Sequence, residues 1–151
     1  MANRVDTSLS KELLTLLRQE TFVSIATVDH ESGAPNVNAI SWVYAPDEST
    51  IRFSVDNRSR IVENLKNNSG LVISFIADGT TYAISGEGTI LKEKMDDVPI
   101  KLALVECTVQ EVRDVMFYGA KMISKPNYEK TYDAEAAVKL DNQVMEEMKR
   151  A

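Results

Sequence analysis

The sequence predicts an α+β fold built mainly of β structure: a six-stranded antiparallel barrel with peripheral helices. Three observations carry this. Strand-like runs succeed one another from Phe22 onward, separated by turns and one short helical stretch. No alternation of strand and long helix occurs, as a parallel sheet would need. Residues 9–20, 59–68 and 133–150 are the stretches read as helices.

The first helical pattern, residues 9–20, places Leu9, Leu13, Leu16 and Leu17 on one face, with Ser8 or Ser10 available as a cap. Residues 22–28 read as a strand ended by the turn residues Asp29, Gly33 and Pro35. A second strand is expected over 36–44, and residues 45–50 turn it into a third, where Ile51, Phe53 and Val55 alternate with Arg52 and Ser54. These two hairpins in series form a meander. Residues 59–68 follow as a short helix capped by Ser59, its inner side made by Ile61, Val62 and Leu65. Residues 71–77 are nearly all apolar and read as a strand buried on both faces. Asp78-Gly79 turns the chain into a long strand, 81–92, where Gly86 and Gly88 imply a bulge or close approach. Residues 100–117 fit a helical stripe but are rich in β-branched residues, and a long bent strand is the reading adopted. Residues 133–150 form a helix with acids at its start and Lys149 and Arg150 at its end.

At 151 residues, one domain spanning 1–151 is expected. With 44% apolar and 26% charged residues the composition is that of a soluble globular chain, and the net charge of −6 argues against nucleic acid or an anionic membrane. The single cysteine, Cys107, excludes an intrachain disulfide and suits a reducing compartment. No leader pattern or membrane-length apolar run is evident, so a cytoplasmic location is expected.

The chemistry is sparse. One histidine and one cysteine cannot build a zinc site of the usual kind. His30 reads as a solvated turn residue and Cys107 as a small buried hydrophobe. Gly86-Glu87-Gly88 starts like a dinucleotide fingerprint, but Leu91 stands where the third glycine belongs. The carboxylate pairs Asp96-Asp97 and Glu146-Glu147 read as solvated surface. If the protein is an enzyme, a cofactor carries the reaction. What remains is Arg58-Ser59-Arg60 at a helix start, where a hydroxyl, first-turn amides and forked guanidinium donors can converge on an anion. The same triplet also reads as an ordinary solvated cap.

The succession ATVDHESGAPNVNAISWVY, STIRFSVDNRSRIVENLKNN, LVISFIA and YAISGEGTIL resembles the FMN-binding split-barrel family related to pyridoxamine 5′-phosphate oxidase. The resemblance covers residues 9–92, with 100–117 completing the barrel. It implies a homodimer with FMN at the interface. Its ring would lie against Asn38, Ala39, Ile40 and Ser41, with Ser54 and Val55 from the third strand. Ser59 and Arg60 would hold the phosphate, with Arg58 a nearby substitute. Three departures thin the charge expected around that phosphate: Ile61, Asn38 and Val43 stand where oxidase-type members carry basic residues. Each lost charge-assisted contact is worth about 1.5–3 kcal/mol. No C-terminal stretch matches the oxidase's substrate-binding end, so oxidation of vitamin B6 is not expected.

The resemblance implies an FMN flavoprotein passing electrons from a reduced nicotinamide to a small-molecule acceptor. One alternative is a non-catalytic flavin-binding or stress-response module that uses the same dimer cleft. Another is a structural dimerising domain, with helix 133–150 docked either on a partner or on its own barrel.

Overall fold

The structure is a computed structural model and describes residues 5–151; the first four residues of the expected 1–151 unit lie outside it. The elements in chain order are β1 (Val5–Asp6), α1 (Lys11–Leu16), β2 (Val23–Val28), β3 (Pro35–Ile40), β4 (Val43–Asp47), β5 (Thr50–Asp56), α2 (Arg60–Asn67), β6 (Gly70–Ala77), β7 (Thr80–Lys92), β8 (Leu102–Asp114) and α3 (Ala134–Arg150). The mainly β, antiparallel class is as expected.

All pairings are antiparallel, in the order β3-β2-β6-β7-β8-β5-β4, with β1 added against β8. The sheet is not closed by a ladder between β3 and β4. Yet these two end strands are joined through only Ser41 and Trp42. That short link brings the ends of the path together, so the sheet must roll up.

Eight strands replace the expected six, partly because the expected second strand is two. Its alternation runs unbroken through Ser41 and Trp42, but the hydrogen bonds diverge there. The Ser41 carbonyl accepts from Thr21 N at 3.0 Å, just before β2, while the Trp42 carbonyl accepts from Ser54 N on β5 at 3.1 Å. β3 therefore pairs with β2, and β4 with β5. The two-residue β1 supplies the other extra strand. The turn expected over 45–50 is tighter, because β4 runs on through Ala45 and Pro46.

Helix α1 is shorter than the 9–20 pattern. Ser10 caps it, and the chain leaves helical geometry at Leu17. Leu9, Leu13 and Leu17 still reach the barrel core. β6 alternates: Leu71, Ile73, Phe75 and Ala77 are buried, while the residues between them are half-buried, so only one face meets the core. The ambiguous segment is a strand, β8, and it pairs with both β5 and β7. Gly86 sits at a bulge in β7, where an added Cβ would lie 2.3 Å from the Thr108 carbonyl oxygen. Asp78 and Gly79 both have positive φ, the geometry a two-residue hairpin turn requires.

Two cores result. One fills the barrel with β2, β5, β6 and β8 side chains, α1 and α2 covering it. The other lies beneath α3: Val144 and Met148 pack on Met95, Leu102 and Leu104, with Trp42 and Tyr44 at the margin. Helix α3 therefore covers its own sheet.

Candidate functional site

The β3–β4 link, the end of β5 and the start of α2 border one cavity. It has a volume of about 310 Å³ and is lined by Asn38, Ala39, Ile40, Ser41, Trp42, Ser54, Val55, Asp56, Ser59 and Ile61. This size lies at the lower end of small-molecule sites, and the cavity is open to one side. A slightly larger cavity, about 350 Å³, is lined by Asp6, Glu12, Asp78 and Asp114. Four carboxylates make that one hostile to an anionic ligand.

Each wall follows from its strand. β3 ends the sheet path, so one row of its backbone N–H and C=O groups has no strand partner. Those groups can meet the polar edge of a flat heterocycle. β5 lies between β8 and β4, and its Ser54 and Val55 are buried, at 2% and 6% exposure. Ser54 Oγ donates to the Ala103 carbonyl at 3.1 Å. That side of the cavity is therefore fixed by core packing.

The anion end is built differently from expectation. Ser59 caps α2, its Oγ accepting from Ile61 N at 3.2 Å. Its hydroxyl proton stays available to a ligand, since a hydroxyl both donates and accepts. Neither arginine lines the cavity. Arg58 pairs with Asp56 at 3.4 Å, and Arg60 pairs with Asp29 at 3.2 Å. Both guanidiniums are largely exposed. The side-chain hydrogen bond from Arg58, reinforced by its backbone amide, lowers the Asp56 pKa and keeps this lining group ionised. Asp56 thus adds a carboxylate to the lining, its charge offset by Arg58 while the two are paired.

The structure brings Asn38, Ala39, Ile40, Ser41, Ser54, Val55 and Ser59 around one cavity and leaves Arg58 and Arg60 out of its lining, turned to carboxylates. Sequence reasoning missed Trp42 and Asp56 as lining residues, and placed Ile61 only as a departure beside the phosphate end. Trp42 was within reach, because it alternates onto the same face as Asn38 and Ile40. Val43, one of the expected basic positions, is fully buried in the barrel core. A lysine there would have no route to the cavity.

His30 is tied down rather than freely solvated. Its amide and its Nδ1 both lie 2.9 Å from Asn64 Oδ1, while Asn64 Nδ2 donates to Thr27 Oγ1 at 2.9 Å. Since Asn64 Oδ1 only accepts, Nδ1 is the donor in this bond. Buried Asn64 thus pins the β2–β3 turn to α2. Cys107 is buried, and burial pushes its thiol pKa up to about 12, so it is inert as a nucleophile. Among the described residues no cluster of potential metal ligands occurs, and no helix is long and apolar enough to cross a membrane.

Residues 9–116 match the sequence profile of the family described as pyridoxamine 5′-phosphate oxidase. A search of curated proteins finds no match. Among solved structures, a candidate pyridoxamine 5′-phosphate oxidase from Lactobacillus delbrueckii superposes with a TM-score of 0.61 at 21% identity, covering 74% of this chain and 98% of that one. HupZ of Group A Streptococcus gives 0.59 at 17% identity, over 75% and 98%. General Stress Protein 26 of Bacillus anthracis gives 0.52 at 12% identity, over 70% and 98%. At these identities the likeness is one of fold.

Proposed function

The chain belongs to the pyridoxamine 5′-phosphate oxidase family, whose members commonly bind a flavin, and on that premise we propose that it is an FMN-binding flavoprotein. One observation carries the reading. Residues from three elements, β3 with its link to β4, β5, and the start of α2, converge on a single cavity with an unpaired strand edge on one side and a helix cap at its end. The ring would lie against Asn38 to Ser41, with Ser54 and Val55 beneath. Ser59, Arg58 and Arg60 would take the phosphate, the arginines turning from Asp56 and Asp29. Bound flavin supplies hydride acceptance from a reduced nicotinamide and delivery to a small-molecule acceptor. The chain's own part is to orient the ring and exclude water from one face. Asp56 is the only carboxylate in the lining, so proton transfer is not a task the side chains are arranged to perform. On β3 the face of Pro35, Val37 and Ala39 is exposed, with Val37 64% exposed. That supports a second copy completing the cavity as a homodimer.

Titration with FMN tests the reading. Quenching of flavin fluorescence, with a visible absorption band retained after gel filtration, is expected. Replacing Arg58 and Arg60 together with alanine should weaken FMN at least tenfold, or about 1.4 kcal/mol, while leaving riboflavin unchanged. Protein that leaves flavin fluorescence untouched would rule the reading out. Oxidation of NADH or NADPH in the presence of FMN separates an electron-transfer enzyme from a module that only binds.

A further inference from the structure

The Ser41–Trp42 link is part of the cavity lining, and one charged cluster outside that lining holds both side chains. Ser41 Oγ donates to Glu20 Oε2 at 2.6 Å, and Trp42 Nε1 donates to Asp141 Oδ1 at 2.8 Å. A single ammonium joins the two carboxylates. Lys130 Nζ lies 2.6 Å from Glu20 Oε2 and 3.3 Å from Asp141 Oδ1. The same two oxygens thus serve both the lining residues and the lysine. An unbroken chain runs Ser41–Glu20–Lys130–Asp141–Trp42.

The cluster ties four regions separate in sequence: the stretch after α1, the β3–β4 link, the irregular segment before α3, and α3 itself. Its charged side chains are only 28% (Lys130), 22% (Glu20) and 19% (Asp141) exposed, so solvent screens them less than surface pairs. Burial alone would lower the Lys130 pKa, but the hydrogen bonds to Glu20 and Asp141 prevail and raise it. The ammonium is therefore permanently charged near neutral pH. Without it, two carboxylates close to one cation site would repel each other, and each would pull its lining residue along. The family match ends at residue 116, so neither Lys130 nor Asp141 is assigned by it.

We propose that Lys130 is a positioning residue for the cavity: by clamping Glu20 and Asp141 it fixes Ser41 and Trp42 as the wall against which a planar ligand lies. The ligand half of this inference rests on the flavin reading above. Lys130 itself does not line the cavity and acts through the two carboxylates.

Trp42 is the only tryptophan in the chain, so its emission reports on the clamp without a label. Riboflavin is the right probe, because it lacks the phosphate and so leaves Arg58 and Arg60 out of the measurement. In the full chain, Lys130→Met should shift Trp42 emission and weaken riboflavin at least tenfold, with the far-ultraviolet circular dichroism unchanged. Lys130→Arg should restore most of both. Wild-type emission and affinity in Lys130→Met overturn the proposal. So does a lowered Tm with unchanged affinity, which makes the cluster a brace for α3 alone. If Lys130→Met does not fold, Asp141→Asn decides. It keeps a carbonyl acceptor for the indole but removes the charge Lys130 holds, and unchanged riboflavin affinity there overturns the proposal. A wild-type protein that binds neither riboflavin nor FMN overturns the flavin reading and the ligand half with it. Failure of the clamp alone looks different: the wild type binds and Lys130→Met binds equally.

Discussion

The cavity's two walls are made from strands in opposite circumstances. β5 has neighbours on both sides, β8 and β4, and Ile51, Phe53 and Val55 sit in the barrel core while Ser54 is buried on the other face. β3 has one neighbour, β2, and four of its six residues are exposed. The first wall is placed by the chain's own folding. The second is a ledge whose position depends on its turn, on the link to β4, and on whatever covers its outer edge. A site so built has one side set by core packing and the other by an exposed end strand. Breaking each wall should therefore have different consequences.

The largest effect should come from the rigid wall. Phe53 is fully buried, and Phe53→Ala removes its ring from the middle of β5. The cost should be about 3–5 kcal/mol. Against a total stability of about 5–15 kcal/mol, that leaves a marginal protein. Urea denaturation measures it, and a loss below about 1 kcal/mol would mean the core does not set this wall.

Next comes the pair of strands behind it. Gly86→Ala drives a methyl to within 2.3 Å of a backbone oxygen, Thr108 O, and 2.7 Å of Cys107 Sγ. A backbone oxygen in a ladder cannot swing aside, so a loss of about 1–3 kcal/mol or more is expected. Gly88→Ala meets Leu71 Cδ2 at 2.7 Å and Leu65 Cδ1 at 3.1 Å. These are side-chain tips that can rotate, so Gly88→Ala should cost less than Gly86→Ala. The reverse order in thermal unfolding would show that the β7–β8 bulge is softer than its geometry implies.

What the sequence revealed divides along the same line. The rigid wall was legible, because Ile51, Phe53 and Val55 alternate with polar neighbours and Ser59 follows at a helix start. The ledge was not. Asn36 to Tyr44 alternates without a glycine or proline, and the break at Ser41–Trp42 is imposed by bonds to Thr21 and Ser54, which local pattern cannot show. The arginines were legible as a cluster but not as a geometry. The partner of Arg60, Asp29, lies 31 residues earlier, in a turn that folds back onto α2. Lys130 was invisible for a third reason. It stands in a stretch without periodicity, and its contacts reach 110 residues back to Glu20 and 11 forward to Asp141.

On the ledge the expected effects shift from stability to assembly. Val37 is 64% exposed, so Val37→Lys should change stability by no more than about 0.5 kcal/mol. A charge there should nevertheless oppose burial against a second copy. Light scattering after size exclusion should show a smaller species, with flavin affinity reduced in parallel. Reduced stability with intact assembly would place the dimer contact elsewhere and make β3 part of the folded core.

The smallest effect should appear in the turn that holds the ledge, and only in acid. Asp29 Oδ2 accepts from the Ser32 amide at 2.9 Å, the Ser32 hydroxyl at 3.0 Å and the Glu31 amide at 3.2 Å, while Oδ1 meets Arg60. These bonds, the Ser32 amide foremost, hold its pKa below the ordinary carboxylate value. A depressed carboxylate adds stability that is fully present above its unfolded pKa of about 3.9 and is lost as pH falls through the folded value. The gap in Tm between wild type and Asp29→Asn should therefore stay constant from pH 7 to about pH 5, then narrow and close in stronger acid. Amide exchange in the β2–β3 turn should follow the same course while β5 stays protected, because the rigid wall owes nothing to this carboxylate. A gap that widened in acid would reverse the assigned sign, and exchange that rose equally in both walls would erase the distinction between them.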